Sequence, residues 1–334
     1  MKSKGIRKVL VTGGAGFIGS HLTDYLLGQG CSVVVLDNLS NGSQERLEQA
    51  NTYVDFTFIK GDILSKEDCR KAMAGCSIIY HLACLGVRHS LHSPFENHRV
   101  NAEGTLNVLQ AAREEGVEHF FYISTSEIYG RTNSFPITEA APTCPLTVYG
   151  SSKLAGEHYS HNYSECFGLP TTVLRIFNNY GPRAHYEGDA GEIIPRSIVK
   201  ILNNQQPIIF GDGMITRDFF FVKDTARVLF DLLSVKERLV GETINIGTGE
   251  EITMKFLIEK ILDMMQLQEL GIEYMADRPA DVPRLWVDNR KFRSIACYFP
   301  SSNFDENLLE TINYYREISK SKDLINNLQT INWK

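Results

Sequence analysis

The sequence has no apolar run of about 18 residues, the length a membrane-spanning helix needs, so no membrane partner is expected. It has no block of like charges, and its net charge of -6 lacks the broad positive field that nucleic-acid binding usually needs. Nucleic acid is therefore excluded as a partner too. No secretory leader is recognisable. Met1 to Lys8 carries four basic residues, but the apolar stretch after it, Val9-Leu10-Val11, runs straight into glycines and reads as a strand. A cytoplasmic protein is expected. The seven cysteines (Cys31, Cys69, Cys76, Cys84, Cys144, Cys166 and Cys297) are odd in number and form no Cys-x-x-Cys pair. That pattern suggests neither a disulfide framework nor a zinc site and leaves reduced thiols, mostly buried. His89 and His92 stand three apart without a third ligand nearby in sequence, so no metal is expected. No internal repeat is present.

What remains is an ordinary globular composition, 43% apolar and 22% charged, on a chain of 334 residues. That length suits one large domain or two small ones. Strand-like and helix-like patterns alternate through the first half. Strands are expected at Lys8–Thr12, Ser32–Leu36, Phe56–Lys60, Ile78–Leu82, Phe120–Ser124 and Thr172–Phe177, with helices over Phe17–Leu27, Asn101–Glu115 and Val148–Phe167. Strands rich in Val, Ile and Phe and separated by helices indicate a parallel sheet covered on both faces. Right-handed crossovers then imply an α/β fold with a Rossmann-type doubly wound sheet. Residues 1–180 are expected to form this unit, with return segments around 214–250. The loop-rich stretch 181–334 is expected to be a smaller substrate-binding region interleaved with it, ending in an Asn-rich, frayed segment near Asn326.

The first strand leads into Gly13-Gly14-Ala15-Gly16-Phe17-Ile18-Gly19. Glycines at every third position serve a tight turn, a close approach of backbone to pyrophosphate and tight helix–strand packing. The helix start supplies unpaired N–H groups and a positive dipole end to phosphate. No Gly-Lys-Ser/Thr follows, so this is not a P-loop. The second strand leads to Asp37, about 20 residues on, where an acid hydrogen-bonds adenosine ribose and repels a 2′-phosphate. The cofactor is therefore expected to be NAD rather than NADP.

Tyr149 and Lys153 stand four apart at the start of a long helix and share a face. A nearby ammonium and an oxidised nicotinamide favour the phenolate, which makes a tyrosine a usable general base. After the fifth strand comes Ser124-Thr125-Ser126-Glu127-Ile128-Tyr129-Gly130, hydroxyls placed at the crevice where α/β sheets bind ligands.

Together these segments resemble the extended short-chain dehydrogenase/reductases, specifically the NAD-dependent epimerase/dehydratase family. The likeness continues through Arg175–Arg183, Gly211–Asp218, Asn245–Gly249 and Arg278–Arg284. It implies that Thr125 hydrogen-bonds the sugar O4, that Tyr149 is the base at O4, and that Lys153 holds the nicotinamide ribose. It places Gly13, Gly16, Phe17, Ile18, Gly19, Asp37, Asn38, Leu82, Ala83 and Asn101 around the cofactor, with Asp62 and Ile63 flanking adenine. Arg88 and Asn178 would meet the sugar or its phosphate, and Arg217 and Arg284 would clamp the diphosphate. The implied substrate is a nucleotide-diphosphate sugar, UDP-linked by preference, and the implied assembly a homodimer packed through helices near 101–115 and 149–167.

Three reactions follow C4 oxidation in this family. The leading expectation is a 4,6-dehydratase, because Glu127, two residues after Thr125, could serve as the C5 base. Thr125-Ser126-Glu127 departs from the Thr-Asp-Glu of the dTDP-glucose enzymes, and the acid toward O6 stays open. The second is a 4-epimerase, which the segment Gly86–Ser90 resembles. The third, a UDP-glucuronate decarboxylase, differs around the catalytic tyrosine. A non-catalytic NAD sensor on the same fold is the remaining alternative.

Overall fold

The computed structural model describes residues 7–300 and 303–333. Strands β1 (Lys8–Thr12), β2 (Ser32–Asp37), β3 (Phe56–Lys60), β4 (Ile78–His81), β5 (His119–Thr125) and β6 (Thr171–Ile176) join a seventh, Thr243–Ile246, in one sheet. The order is Thr243–Ile246, β6, β5, β4, β1, β2, β3, and every pairing is parallel. The direction of winding reverses between β1 and β4, which opens a crevice at the strands' carboxyl ends.

Period-2 alternation sends β1 into two cores. Val9 and Val11 pack on one face with Leu22 and Leu26 of helix α1 (Phe17–Gly28), and Leu10 packs on the other with Val108 and Leu109. A short helix α2 (Lys66–Met73), which the sequence reading did not anticipate, is capped by Ser65 and covers the second face. Two short helices, α3 (His89–His92) and α4 (Pro94–His98), lead into a π-turn at Arg99–Glu103 and then α5 (Gly104–Glu115). The helix expected from Asn101 thus starts earlier and is interrupted by that turn, where Asn101 reaches back to hold the Leu85 backbone.

Helix α6 (Val148–Phe167) starts at Thr147, whose side chain accepts a hydrogen bond from Gly150 N at 3.1 Å. It lies so close to β5 that a Cβ at Gly156 would come within 2.2 Å of the Tyr122 hydroxyl. Its register against the sheet is set by a buried pair: Arg175 on β6 donates to Glu157 at 2.7 Å, and Ser124 on β5 donates to the same carboxylate. Arg175 also donates to the Tyr129 hydroxyl at 2.8 Å.

Beyond residue 180 the chain builds a smaller body from helices Ile193–Leu202, Met254–Met265 and Phe304–Ile318, packed through Ile198, Ile258 and Ile312. Between these it returns to the sheet with helix Val222–Asp231, against α1, and strand Thr243–Ile246. The segment near Asn326, expected to fray, instead packs back: Leu324 is buried in the smaller core, with Ile325 and Leu328 against it. Apolar residues spaced among the asparagines help anchor it, together with hydrogen bonds from Arg196 and Asn332. Among the described residues no helix is long and apolar enough to cross a membrane.

Removing one partner of a buried ion pair leaves the other charge uncompensated. Glu157→Gln is expected to lower stability by about 3 kcal/mol, read as a lower urea midpoint at unchanged slope. An unchanged midpoint would show that Arg175 finds other partners.

Candidate active site

The crevice opens into a cavity of about 850 Å³ between the sheet and the smaller body. The residues that line it arrive from the ends of successive strands. The β1–α1 turn contributes Gly13, Gly16, Phe17, Ile18 and Gly19. Asp37 and Asn38 follow from β2, Asp62 and Ile63 from β3, and Leu82 and Ala83 from β4. Thr125 ends β5, Ser126 and Glu127 follow it in a short turn, and Tyr149 and Lys153 lie on α6. Arg88, Asn178 and Arg217 complete the wall.

The turn fits a dinucleotide. Gly13 has φ +71, and a Cβ there would stand 2.7 Å from Ala83 N. The N-cap of α1 is Gly16, with no side chain to satisfy the helix's first N–H groups. Asp37 is held by Ala15 N at 2.9 Å and Leu39 N at 2.8 Å, one to each carboxylate oxygen, and burial raises its pKa. Asn38 donates to Asp62 at 3.1 Å, joining the ends of β2 and β3.

At the other side of the cavity Lys153 Nζ donates to Ile123 O at 2.5 Å and lies 4.3 Å from the centre of the Tyr122 ring. Burial lowers the Lys153 pKa. Burial also raises Tyr149 well above its ordinary value, with the adjacent Cys84 adding to the rise and the Thr125 hydroxyl opposing it. Cys84 lines the cavity beside this pair, a placement that nothing local in the sequence signals. Thr125 Oγ1 also accepts from Glu127 N at 3.2 Å and caps the short turn Ser126–Tyr129. Ser126 is buried beside it. The Glu127 carboxyl is raised, first by burial; Arg217 and Arg88 oppose the rise, while Asp281 and Glu192 add to it.

The arginines are themselves braced. Arg88 donates to Asp189 O at 2.6 Å and to Glu192 at 3.0 Å. Arg217 donates to Val282 O and to Asp281, each at 2.7 Å. Asn178 Oδ1 is buried without a partner, an acceptor open to a ligand.

Two expected site residues lie elsewhere. Asn101 is outside the cavity wall, because its side chain is spent on Leu85, Asn97 and Ser152. It braces the loop that carries Ala83 and Cys84. Arg284 pairs with Glu251 and stacks on Phe135 at 4.4 Å and Trp286 at 5.0 Å, away from the cavity. Arg278, six residues earlier in the same segment, takes its place. It lines the cavity, lies over the Phe210 ring at 4.6 Å, and its Nε is buried without a partner. Among the described residues no group of three or more His, Cys, Asp and Glu is arranged to hold a metal.

The model of the NAD dependent epimerase/dehydratase family matches residues 9–247. A UDP-glucose 4-epimerase of Mycolicibacterium smegmatis is 33% identical over 94% of this chain and 100% of its own length. A dTDP-glucose 4,6-dehydratase of Neisseria meningitidis serogroup B is 32% identical over 93% of each chain. The crystal structure of a UDP-glucuronic acid 4-epimerase from Bacillus cereus, in complex with UDP-glucuronic acid and NAD, superposes with a TM-score of 0.87 at 31% identity, covering 93% of this chain and 99% of that one.

A side chain at Gly13 would meet both the Ala83 backbone and an unfavourable φ. Gly13→Ala is expected to weaken NAD binding at least about tenfold, measured by calorimetric titration. Wild-type affinity in this variant would mean that the turn does not hold the cofactor.

Proposed function

The chain belongs to the NAD dependent epimerase/dehydratase family, and we propose that it is a nucleotide-sugar 4,6-dehydratase working through transient oxidation at C4. NAD, the family's cofactor, supplies the acceptor for the electron pair that leaves C4 and is later returned to C6. The protein's own groups do the rest. Tyr149 takes the O4 proton, Thr125 orients that hydroxyl, and the Lys153 ammonium favours the phenolate. Arg217 and Arg278 hold the diphosphate as planar donors, and Asn178 accepts a hydrogen bond from the substrate.

The observation that carries the reading is Glu127, a half-buried carboxyl lining the same cavity as Tyr149 with its pKa raised. A ketone at C4 acidifies the C5 hydrogen, and a carboxylate of raised basicity is suited to take it. No second acid follows Thr125, because Ser126 occupies that position. Glu127 therefore carries the C5 proton to the departing C6 hydroxyl, which leaves as water. A solvent-derived proton then returns to C5.

Ser126 also favours the second reading. Without a separate acid the site could act as a 4-epimerase, as several relatives do, with Glu127 a bystander. Incubation with UDP-, dTDP-, GDP- and CDP-hexoses separates the two. A product lighter by one water is expected, whereas an unchanged mass with inverted C4 would make the enzyme an epimerase.

Tyr149→Phe is expected to lower kcat by about 10² to 10⁴, the usual worth of a positioned general base, while NAD binding persists. The pH profile carries its own sign. Glu127 works as the carboxylate, and its pKa lies above the ordinary value. Activity should therefore fall toward acid along a limb displaced upward from that of an exposed glutamate, and Glu127→Gln should abolish that limb together with most of kcat. A limb unchanged in Glu127→Gln would assign it to another group.

A further inference from the structure

The cavity has a wall that the family's motifs do not supply. The segment after helix Phe304–Ile318 crosses back over the smaller body and brings Trp333 to the cavity's edge. Its position is built. Arg196 Nη2 donates to Gln329 O at 2.6 Å and Thr330 O at 3.1 Å. Asn332, itself buried, donates to Gly188 O at 3.0 Å and Gly191 O at 3.2 Å. Those glycines belong to the loop that also carries Asp189 and Glu192 in the cavity wall.

At its tip the Trp333 ring meets Phe210 edge to face, with centroids 4.7 Å apart, and the Arg278 guanidinium lies 5.5 Å from the same indole. Phe210, Arg278 and Trp333 thus form one aromatic–cationic corner. Two aromatic rings offer a planar base a surface, and the guanidinium beside them suits an adjoining diphosphate. Three buried polar atoms at this seam lack partners: Arg278 Nε, Arg196 Nη1 and Asn332 Oδ1. Unsatisfied groups of this kind mark a place completed by something polar.

We propose that the segment Gln329–Trp333 is a substrate-binding element, in which Trp333 forms the outer wall of the nucleotide end of the cavity and steadies Arg278 against Phe210. The inference rests on the reading of the substrate as a nucleotide sugar. It names the residue that contacts the nucleoside and assigns the hold on that residue to Arg196 and Asn332.

The test uses the intact protein loaded with NAD and titrated with UDP and with dTDP, which lack the sugar. Trp333→Ala is expected to raise Kd for both about tenfold, as removing one aromatic surface from a bound base does. Trp333→Phe should recover most of the loss. With the full substrate the defect should fall on KM more than on kcat, and NAD affinity should stay at the wild-type value. Unchanged UDP affinity in Trp333→Ala overturns the proposal. So does a parallel loss of NAD binding, which would make Trp333 a general structural residue. If the wild-type protein binds neither nucleotide, the nucleotide-sugar reading itself fails and takes this one with it; the wild-type titration alone distinguishes that case.

Discussion

The buried contact between Glu157 and Arg175 ties three elements into one register. Glu157 lies one turn beyond Lys153 on α6, Arg175 lies on β6, and Ser124, which donates to the same carboxylate, immediately precedes Thr125 at the end of β5. A shift of α6 along the sheet would break this charge-assisted contact in a dry interior, where an unpaired charge is costly. The same shift would move Tyr149 and Lys153 away from Thr125. The close approach of α6 at Gly156 allows the contact, and Thr147 fixes where the helix begins. The geometry of the reacting groups is thus a consequence of packing one turn away from them.

Burial also sets their electrostatics. Tyr149 and Glu127 are raised and Lys153 is lowered, so each is pushed toward its neutral form. A site in that condition gains most from ligands that bring charge. On the proposed reading, a cationic nicotinamide beside Tyr149 favours the phenolate, and a diphosphate answers Arg278, whose charge burial and the nearby Arg88 disfavour.

Much of this was legible in the sequence because it is local. The strand–glycine turn–helix unit, Asp37 after the second strand, and the Tyr149/Lys153 spacing each lie within one supersecondary unit, and their placement follows from chain geometry. What the sequence left unplaced depended on contacts distant in sequence. Resemblance alone places Asn101 at the cofactor, yet its amide is consumed by the loop at Leu85. Arg278 and Arg284 are six apart on an irregular stretch, and only tertiary packing decides that Arg278 enters the cavity while Glu251 draws Arg284 away. The Asn-rich segment resembled a loose end because its anchoring groups, Arg196 and the carbonyls of Gly188 and Gly191, lie more than a hundred residues upstream.

On the proposed reading Glu127 moves the C5 proton of a nucleotide sugar. Turnover in deuterated water, with the product's C5 position read by NMR, tests it most directly. One deuterium at C5 is expected, in a product that has lost water. A C4-inverted product with hydrogen retained at C5 would contradict it and leave Glu127 without a chemical role.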